Sequence, residues 1–471
     1  MAASLRGPGR RSPPHAEPLT RRLAASNAAR LLLRGGAVVL VLLLAGCAAI
    51  GGLRPGAAAK PTREVLPNGV VLIVQEHRAS DVVALQLWMR MGGRDEAADE
   101  LGLAHYIEHM LFKGTPTRPP GSIDTMIEGF GGTSNAFTSY DTTHYDFVVP
   151  VEHVREGIGL LADLAVNASF PPGEIENEKK VVFEEMNLIE DDPEKFLLRR
   201  LYELSYSPHP YGRPLLGQRE FIQKLTRDQL AQFYRKHFVP KSMVLVVVGA
   251  VDPARVRPLV DATFGRIAAE SPARRASPPV PALDRTRRAD VARAEKQAYL
   301  GLAWRTAPTG NEDIYAVDLL TYILGDSPSS RLNQTVREQQ RLVANIEAGY
   351  GAFEQAGLVT VTARLEPANL EKAEAAILDV IRKVRAEGVT EAERQRAVIT
   401  AESSYAFDIE TAEGLAKSYG QAETTWTLDN ELAYLARLRG ITAAQIQAVA
   451  RKYFGDDNYA RVRFVPEGAS R

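Results

Sequence analysis

Apolar segments along the chain predict a series of buried strands. Six segments rich in valine, leucine and isoleucine have the length of strands, at 70–75, 82–91, 144–149, 243–248, 298–304 and 357–365. Longer segments have the pattern of amphipathic helices, at 102–112, 151–166, 172–189, 227–236, 315–324 and 370–385. Helices and strands mix without the regular alternation of parallel βαβ units, so we predict an α+β fold.

A repeated spacing indicates two similar halves. Trp88 lies 17 residues before His105, and Trp304 lies 17 residues before Thr321, with a Tyr-Ile pair following in both cases. The segment 266–294 is rich in proline, arginine and alanine and has no apolar period, which is typical of a linker. We therefore predict two domains, at 62–265 and 295–471.

Composition and charge exclude several classes of protein. The 471 residues are 45% hydrophobic and 24% charged, which excludes a disordered, a collagen-like and a polytopic membrane chain. The one cysteine, Cys47, excludes a disulfide framework and a zinc site built on cysteines. Residues 1–46 carry +6 and the whole chain carries −1, so the remainder carries −7. An acidic body is a poor match to a phosphate backbone, so we expect no nucleic-acid partner.

The N-terminal 46 residues have the features of a lipoprotein signal peptide. Nine apolar residues at 37–45 follow arginine-rich sequence and are too few to span a bilayer as a helix. Leu-Ala-Gly-Cys at 44–47 resembles a bacterial lipobox, which implies cleavage before Cys47 and a lipid on that residue. Ala48 favours the outer membrane, so we expect a periplasmic-face lipoprotein with a Gly/Ala-rich tether at 47–61. The alternative is a plain signal peptide followed by an unreactive cysteine.

The sharpest chemical signal is the sequence His-x-x-Glu-His at 105–109. On a helix, His105 and His109 lie one turn apart on the same face, where two imidazoles can bind one Zn²⁺. Glu108 shares that side of the helix, and its carboxylate can take a proton from an attacking water. Two histidines and a carboxylate on an otherwise apolar helix would be costly to bury without a metal, so we favour a metal site.

A catalytic zinc site needs a third protein ligand, usually a carboxylate from another element. The predicted helix 172–189 offers five acids, and spacing alone does not choose among Glu174, Glu176, Glu178, Glu184 and Glu185. The second half has Thr321 where the first has His105, so we expect the metal chemistry in the first half alone.

Residues 105–115, HYIEHMLFKGT, resemble the pitrilysin family of zinc metallopeptidases, which includes mitochondrial processing peptidase and insulysin. The resemblance extends from the Leu-Pro-Asn-Gly turn at 66–69 to the last strand. It implies two similar domains, each a mainly antiparallel sheet packed with helices, and one Zn²⁺ per chain. It also implies that peptides or unfolded polypeptide segments are the substrates.

The resemblance also implies which carboxylates complete the site. The family's third ligand is a glutamate 76 residues after the second histidine, which is Glu185 here. A supporting glutamate seven residues earlier is Glu178. These two would share one helix face, whereas Glu184 would point about 100° away and is the easiest residue to misassign.

A second matching segment implies a substrate contact. The run Gly-Gly-Thr-Ser-Asn-Ala-Phe-Thr-Ser-Tyr at 131–140 resembles the family's edge strand beside the zinc. An edge strand can pair with an extended peptide, so we expect Asn135 and Ala136 to contact the substrate backbone. Without the resemblance, this run is typical of an ordinary turn.

The second half departs from the family pattern at one position. Arg337, after Ser-Ser-Arg-Leu at 329–332, matches an arginine that helps bind substrate, but the family's tyrosine seven residues later is Ala344 here. Tyr350 is a weak substitute. Some family members divide the work between a zinc-binding chain and a zinc-less partner that carries the Arg/Tyr pair. We therefore expect a heterodimer with such a partner; the alternative is a homodimer or monomer in which Ala344 is harmless.

Together these patterns predict a zinc metalloendopeptidase. His105, His109 and Glu185 would hold the metal, while Glu108 would act as general base and then as general acid. Glu178 would orient a ligand or the substrate. The alternatives are a non-catalytic lipoprotein of the same fold that binds peptides or holds an assembly together, and a zinc hydrolase acting on another substrate, which the edge-strand segment disfavours.

Overall fold

The computed structural model describes residues 60–272 and 278–467. The predicted signal peptide at 1–46, the lipobox with Cys47 and the tether up to residue 59 lie outside the described residues. Within the described part, no helix is both long and apolar enough to cross a membrane.

Six strands form a sheet from residues of the first half. They are β1 (Thr62–Val65), β2 (Val71–Glu76), β3 (Val82–Met89), β4 (Thr133–Thr138), β5 (Thr143–Pro150) and β6 (Met243–Gly249). The strand order is β1-β2-β6-β3-β5-β4, which puts β1 and β4 at the two edges. Neighbouring strands run antiparallel except for the parallel pair β2 and β6.

Five strands form a second sheet from the later residues. They are β7 (Arg287–Arg293), β8 (Ala298–Thr306), β9 (Asn345–Ala352), β10 (Gly357–Leu365) and β11 (Tyr459–Pro466). Their order is β7-β11-β8-β10-β9, and only β7 and β11 run parallel. The prediction of an α+β fold built on two mainly antiparallel sheets is confirmed.

Helices lie between and beside the strands of both sheets. In the first half they are α1 (Leu103–Leu111), α2 (Ser122–Gly129), α3 (Val154–Asn167), α4 (Pro172–Asp191), α5 (Pro193–Tyr206), α6 (Arg219–Gln223), α7 (Arg227–His237) and α8 (Pro253–Ala262). In the second half they are α9 (Asp313–Thr321), α10 (Leu370–Glu387), α11 (Glu391–Asp408), α12 (Ala412–Thr425), α13 (Leu428–Gly440) and α14 (Ala443–Tyr453). Two π-helical segments, Tyr322–Asp326 and Asn333–Gln339, flank the Ser-Ser-Arg-Leu sequence.

The central strands of each sheet are buried on both faces, which explains their continuous apolar runs. One face of the first sheet packs against helices of its own half, including α1 and α3. The other face packs against α12, a helix of the second half. In return, α5 of the first half covers one face of the second sheet, against β8 and β11. Each sheet is therefore covered on one face by a helix from the other half.

A buried polar cluster also joins the halves. The Arg94 guanidinium contacts Asp141 of the first half at 3.0 Å and Glu354 of the β9–β10 turn at 2.8 Å. The Glu354 amide donates to the other carboxylate oxygen of Asp141 at 2.8 Å. Beside them, His209 Nε2 lies 2.8 Å from Gln355 Oε1. Because Arg94 and Asp141 are buried, this turn is held firmly against the segment that precedes α1.

The predicted linker is wrong at its C-terminal end. Residues 287–293, which we place in the linker 266–294, form β7 and pair with β11. The strand is half-buried and rich in arginine, so its apolar alternation is weak. That weakness explains why the sequence pattern does not reveal it.

Candidate metal centre

Helix α1 carries the His-x-x-Glu-His sequence, and a buried carboxylate holds its N-terminus. Gly102, the residue before the helix, has a φ of 92° and no side chain that could cap it. Instead, the two carboxylate oxygens of Glu96 accept hydrogen bonds from the amides of Gly102 and Ala104, both at 2.9 Å. Burial raises the pKa of Glu96 to about 8, against the lowering effect of those two hydrogen bonds. Glu96 thus fixes the helix one residue before His105.

Three of the predicted site residues converge on one point. His105 Nε2 lies 3.4 Å and His109 Nε2 lies 3.5 Å from the same oxygen, Oε2 of Glu185. The two imidazoles come from one turn of α1, and the carboxylate comes from α4, which packs against it. No other described residue joins them in a group of three or more possible metal ligands within 4.8 Å.

These distances suit a zinc ion. Ligands about 2.0–2.1 Å from a tetrahedral metal are separated from each other by about 3.3–3.4 Å. Two imidazole nitrogens and a carboxylate oxygen are also a ligand set that catalytic zinc sites use. The residues therefore fit Zn²⁺ in both chemistry and spacing.

Glu178 contacts Nδ1 of His109, the ring nitrogen that does not face Glu185. Its Oε2 lies 2.9 Å from His109 Nδ1, so a proton on Nδ1 leaves Nε2 free to bind a metal. Glu178 and Glu185 lie seven residues apart on one face of α4, whereas Glu184 is exposed. The carboxylates of Glu178 and Glu185 both contact His109 of α1.

The two histidines have opposite electrostatic environments. Burial, with a smaller contribution from the neighbouring His109, lowers the pKa of His105 to about 4. Burial also disfavours the charged form of His109, but hydrogen bonds to Glu178 and Glu185 outweigh it and raise the pKa to about 9. Burial is the largest single influence on Glu185 and raises its pKa, but the hydrogen bond to His109 and the charges of His109 and His105 together outweigh it and lower the pKa of that carboxyl.

Glu108 lies on α1 between the two histidines with one oxygen unpaired. Its Oε2 is buried and has no hydrogen-bond partner among the described residues. Burial raises the pKa of Glu108, while a hydrogen bond with Thr138 of β4 acts in the opposite direction. A carboxylate with a raised pKa and a free oxygen is suited to exchange a proton with a reacting group.

The residues predicted to contact substrate lie on β4, at the edge of the first sheet and against α1. Asn135 is exposed and Ala136 is half-buried. The amide of Ala136 donates to Oδ1 of Asn135 at 2.9 Å. An extended peptide that pairs with this edge would replace that local hydrogen bond.

The second-half residues lie on β9 or in the segments next to it. Arg337 is exposed in the segment Asn333–Gln339, where it contacts Asn333 at 3.4 Å and Glu338 at 3.7 Å. Ala344 is exposed just before β9. Tyr350 lies on β9 and is partly buried against the hydrophobic core of the second half. The described residues give Arg337 no polar contact with the metal cluster.

Sequence reasoning missed three residues that surround the site. Lys113 binds Glu178, Thr138 bonds to Glu108, and Glu96 caps α1. Lys113 follows His109 by four residues, a helical spacing that could have indicated it. Nothing local indicates Glu96, because its role depends on how the segment before α1 folds back.

Family models match most of the chain. Residues 71–219 match the model described as insulinase (peptidase family M16). Residues 224–400 match the model described as peptidase M16 inactive domain. The second match begins in the first half and includes Thr321, which stands where the first half has His105.

Known proteins are similar over most of the chain. An uncharacterized zinc protease of Mycobacterium tuberculosis is 30% identical over 425 residues, which cover 88% of this chain and 96% of that protein. An uncharacterized zinc protease of Bacillus subtilis is 28% identical over 410 residues, which cover 86% of this chain and 98% of that protein. In structure, a protease from Helicobacter pylori matches with a TM-score of 0.83 at 23% identity, covering 87% of this chain and 100% of that one.

A longer neighbour has a related architecture. The periplasmic protease PqqL from Escherichia coli matches with a TM-score of 0.70 at 20% identity, covering 87% of this chain and 48% of that one. At such identities the structural likeness shows the fold, while the sequence relatives and the family models show the descent. The chain therefore belongs to the pitrilysin family of peptidases, peptidase family M16.

Proposed function

We propose that this protein is a zinc-dependent metalloendopeptidase that hydrolyses peptides or unfolded polypeptide segments. The observation that carries the proposal is the convergence of His105 Nε2 and His109 Nε2 on Glu185 Oε2, at 3.4 and 3.5 Å. The unpaired oxygen of Glu108 lies on the same helix, where an acid–base group is needed.

Each residue has a distinct part in the proposed reaction. His105, His109 and Glu185 would hold Zn²⁺, which when bound supplies Lewis acidity to activate water and a peptide carbonyl. Glu108 takes one proton from the attacking water as the new C–O bond forms. It then gives that proton to the departing nitrogen as the C–N bond breaks, so the products are a carboxylic acid and an amine.

The edge strand supports a polypeptide as substrate. β4 is open on one side, and its last residue, Thr138, bonds to Glu108. A peptide added as a further strand beside Asn135 and Ala136 would run alongside the acid–base group. Main-chain pairing of this kind needs an extended segment, which favours unfolded polypeptides over folded proteins.

Metal removal tests this proposal. We expect full-length protein, recovered from membranes with any bound partner, to cleave an unfolded protein substrate. A chelator should abolish cleavage, and restoring one equivalent of Zn²⁺ per chain should recover it. Cleavage that survives removal of all bound metal would contradict the proposal.

A second proposal concerns the partner. Ala344 occupies the position of the family's tyrosine, while Arg337 is retained, so we propose that a zinc-less chain of the same fold completes the site as a heterodimer. The chain isolated from that partner should hydrolyse peptides slowly, and Ala344→Tyr should raise its turnover. Rapid turnover by the isolated, unmodified chain would contradict this proposal and favour a homodimer or monomer.

The place of action is also proposed from the sequence. The Leu-Ala-Gly-Cys sequence at 44–47 supports a lipid anchor on Cys47 at the periplasmic face, most simply in the outer membrane. Cys47→Ser should release the protein from the membrane fraction. Retention of that variant in the membrane would contradict a lipid anchor.

A further inference from the structure

We propose that Lys113 is a positioning residue for the metal centre, acting on His109 through Glu178. The inference rests on the proposed function, because it concerns the zinc site that this function requires. Lys113 does not contact the converging ligand atoms itself; its effect would come from fixing the carboxylate that orients one ligand.

The geometry places Glu178 between two donors from the same stretch of chain. Its Oε2 lies 2.9 Å from His109 Nδ1, and its Oε1 lies 2.7 Å from Lys113 Nζ. His109 lies in the last turn of α1 and Lys113 lies two residues beyond its end, and both side chains reach the same carboxylate. With one donor on each oxygen, the carboxylate has a single well-defined orientation.

Burial makes this second donor matter. The Glu178 side chain is only 6% exposed, so water is a poor replacement for a lost partner. Without the Lys113 ammonium, Oε1 would be short of a partner and the carboxylate would be free to rotate. His109 Nδ1 would then lose its fixed acceptor, and the direction of Nε2 would be less well determined.

The same contact ties together the two helices that carry the ligands. His109 belongs to α1, whereas Glu178 and Glu185 belong to α4. A bond from Lys113 to Glu178 therefore helps to set the distance across which His109 and Glu185 must meet.

The charge balance of the site also supports a role for Lys113. The site gathers three carboxylates, from Glu108, Glu178 and Glu185, against the two positive charges of a zinc ion. Lys113 supplies the remaining positive charge from a position just after the helix C-terminus, where a cation is favoured. Its removal would leave an uncompensated carboxylate in a partly buried site.

Binding of Zn²⁺ and of Co²⁺ as its spectroscopic substitute tests the inference without relying on activity. Lys113→Met should weaken Zn²⁺ binding by about 10–100-fold in competition with a chelator, and should alter the visible absorption of the Co²⁺ form. Lys113→Arg should recover most of the affinity. Lys180→Met, which removes an exposed lysine from α4, is the matched control and should bind as the unmodified protein does.

A double-mutant cycle separates positioning from a general loss of structure. In a Glu178→Gln background, Lys113→Met should have almost no further effect on Zn²⁺ affinity, because its point of action is already gone. Equal affinity and equal Co²⁺ spectra in Lys113→Met and the unmodified protein would overturn the inference. The inference would also be overturned if Lys113→Met lowered Zn²⁺ affinity in the Glu178→Gln background as much as it does in the unmodified protein. If Lys113→Met does not fold, Lys113→Gln carries the same comparison.

The failure of the inference is distinguishable from failure of the proposed function. Unmodified protein that binds neither Zn²⁺ nor Co²⁺ at one per chain would refute the zinc site itself. Unmodified protein that binds zinc, with Lys113 variants that bind it equally well, would refute only the role of Lys113.

Discussion

The indole ring of Trp88 on β3 lies against the backbone of Gly420 on α12, and a Cβ at position 420 would overlap its Nε1. The ring also stacks on His144 of β5, with centroids 4.1 Å apart. The first sheet, which carries the edge strand of the candidate site, is thus closed on one face by a helix of the second half. The described halves form one packed structure.

Substitution of Gly420 tests that packing. Gly420→Ala should lower the free energy of unfolding by about 1–3 kcal/mol, because the new methyl group must displace a fully buried ring. Gly159→Ala on α3 is the matched control, since nothing lies near its added Cβ. It should leave stability unchanged or raise it by up to about 1 kcal/mol. Equal denaturant midpoints for the two variants would contradict the close packing.

A pair of adjacent glutamates tests the choice of third ligand. Glu185→Gln should lower zinc content well below one per chain, because a neutral amide is a much weaker ligand than a carboxylate. Glu184→Gln changes an exposed residue one position away and should leave the zinc content intact. Metal analysis of both purified variants checks this, and a loss of zinc in Glu184→Gln alone would reverse the assignment.

Zinc affinity should depend on pH in a defined direction. In the metal-free protein, His109 keeps its proton up to a pKa of about 9, whereas His105 is already neutral above about 4. Zinc binds neutral imidazole, so at pH 7 binding must release the proton of His109. Affinity should therefore rise by about tenfold per pH unit from pH 7 toward 9 and then level off.

Calorimetry in buffers of different ionisation enthalpy measures that proton release. We expect close to one proton released per zinc at pH 7. Glu178→Gln removes a hydrogen bond that raises the pKa of His109, so it should shift the levelling-off to lower pH. An affinity that is constant between pH 7 and 9 would contradict this account of His109.

The edge strand can be tested by removing one amide. Ala136→Pro deletes an N–H that bonds locally to Asn135 and that a docked peptide would use. We expect KM for a peptide to rise by about tenfold while the zinc content is unchanged. Ala136→Gly keeps the amide and should behave much more like the unmodified protein. An unchanged KM in the proline variant would place the substrate elsewhere.

Local spacing predicted the centre of the site but not its surroundings. His105, Glu108 and His109 fall within two turns of one helix, so a short sequence is enough to bring them together. Glu185 required the family resemblance, because α4 also offers Glu174, Glu176 and other acids on its surface. Helical periodicity shows which of these acids share a face of α4. It does not show which face is buried against the metal site, because that depends on what packs against the helix.

Long-range packing accounts for what the sequence did not reveal. Trp88 and Gly420 belong to different halves, and neither has a local pattern that indicates the other. The same is true of Arg94 and Glu354, which form an ion pair between the halves. The apolar runs did predict buried strands, but only the structure shows that each sheet receives a covering helix from the other half.

The most direct test of the central claim compares the unmodified protein with Glu108→Gln. Both are purified in full length under the same conditions with any bound partner, loaded with zinc, and given a library of quenched peptides. We expect equal zinc content in both, cleavage by the unmodified protein, and loss of cleavage in the variant by at least about a thousandfold. Equal cleavage by the two proteins would show that Glu108 is not the acid–base group and would contradict the proposed mechanism.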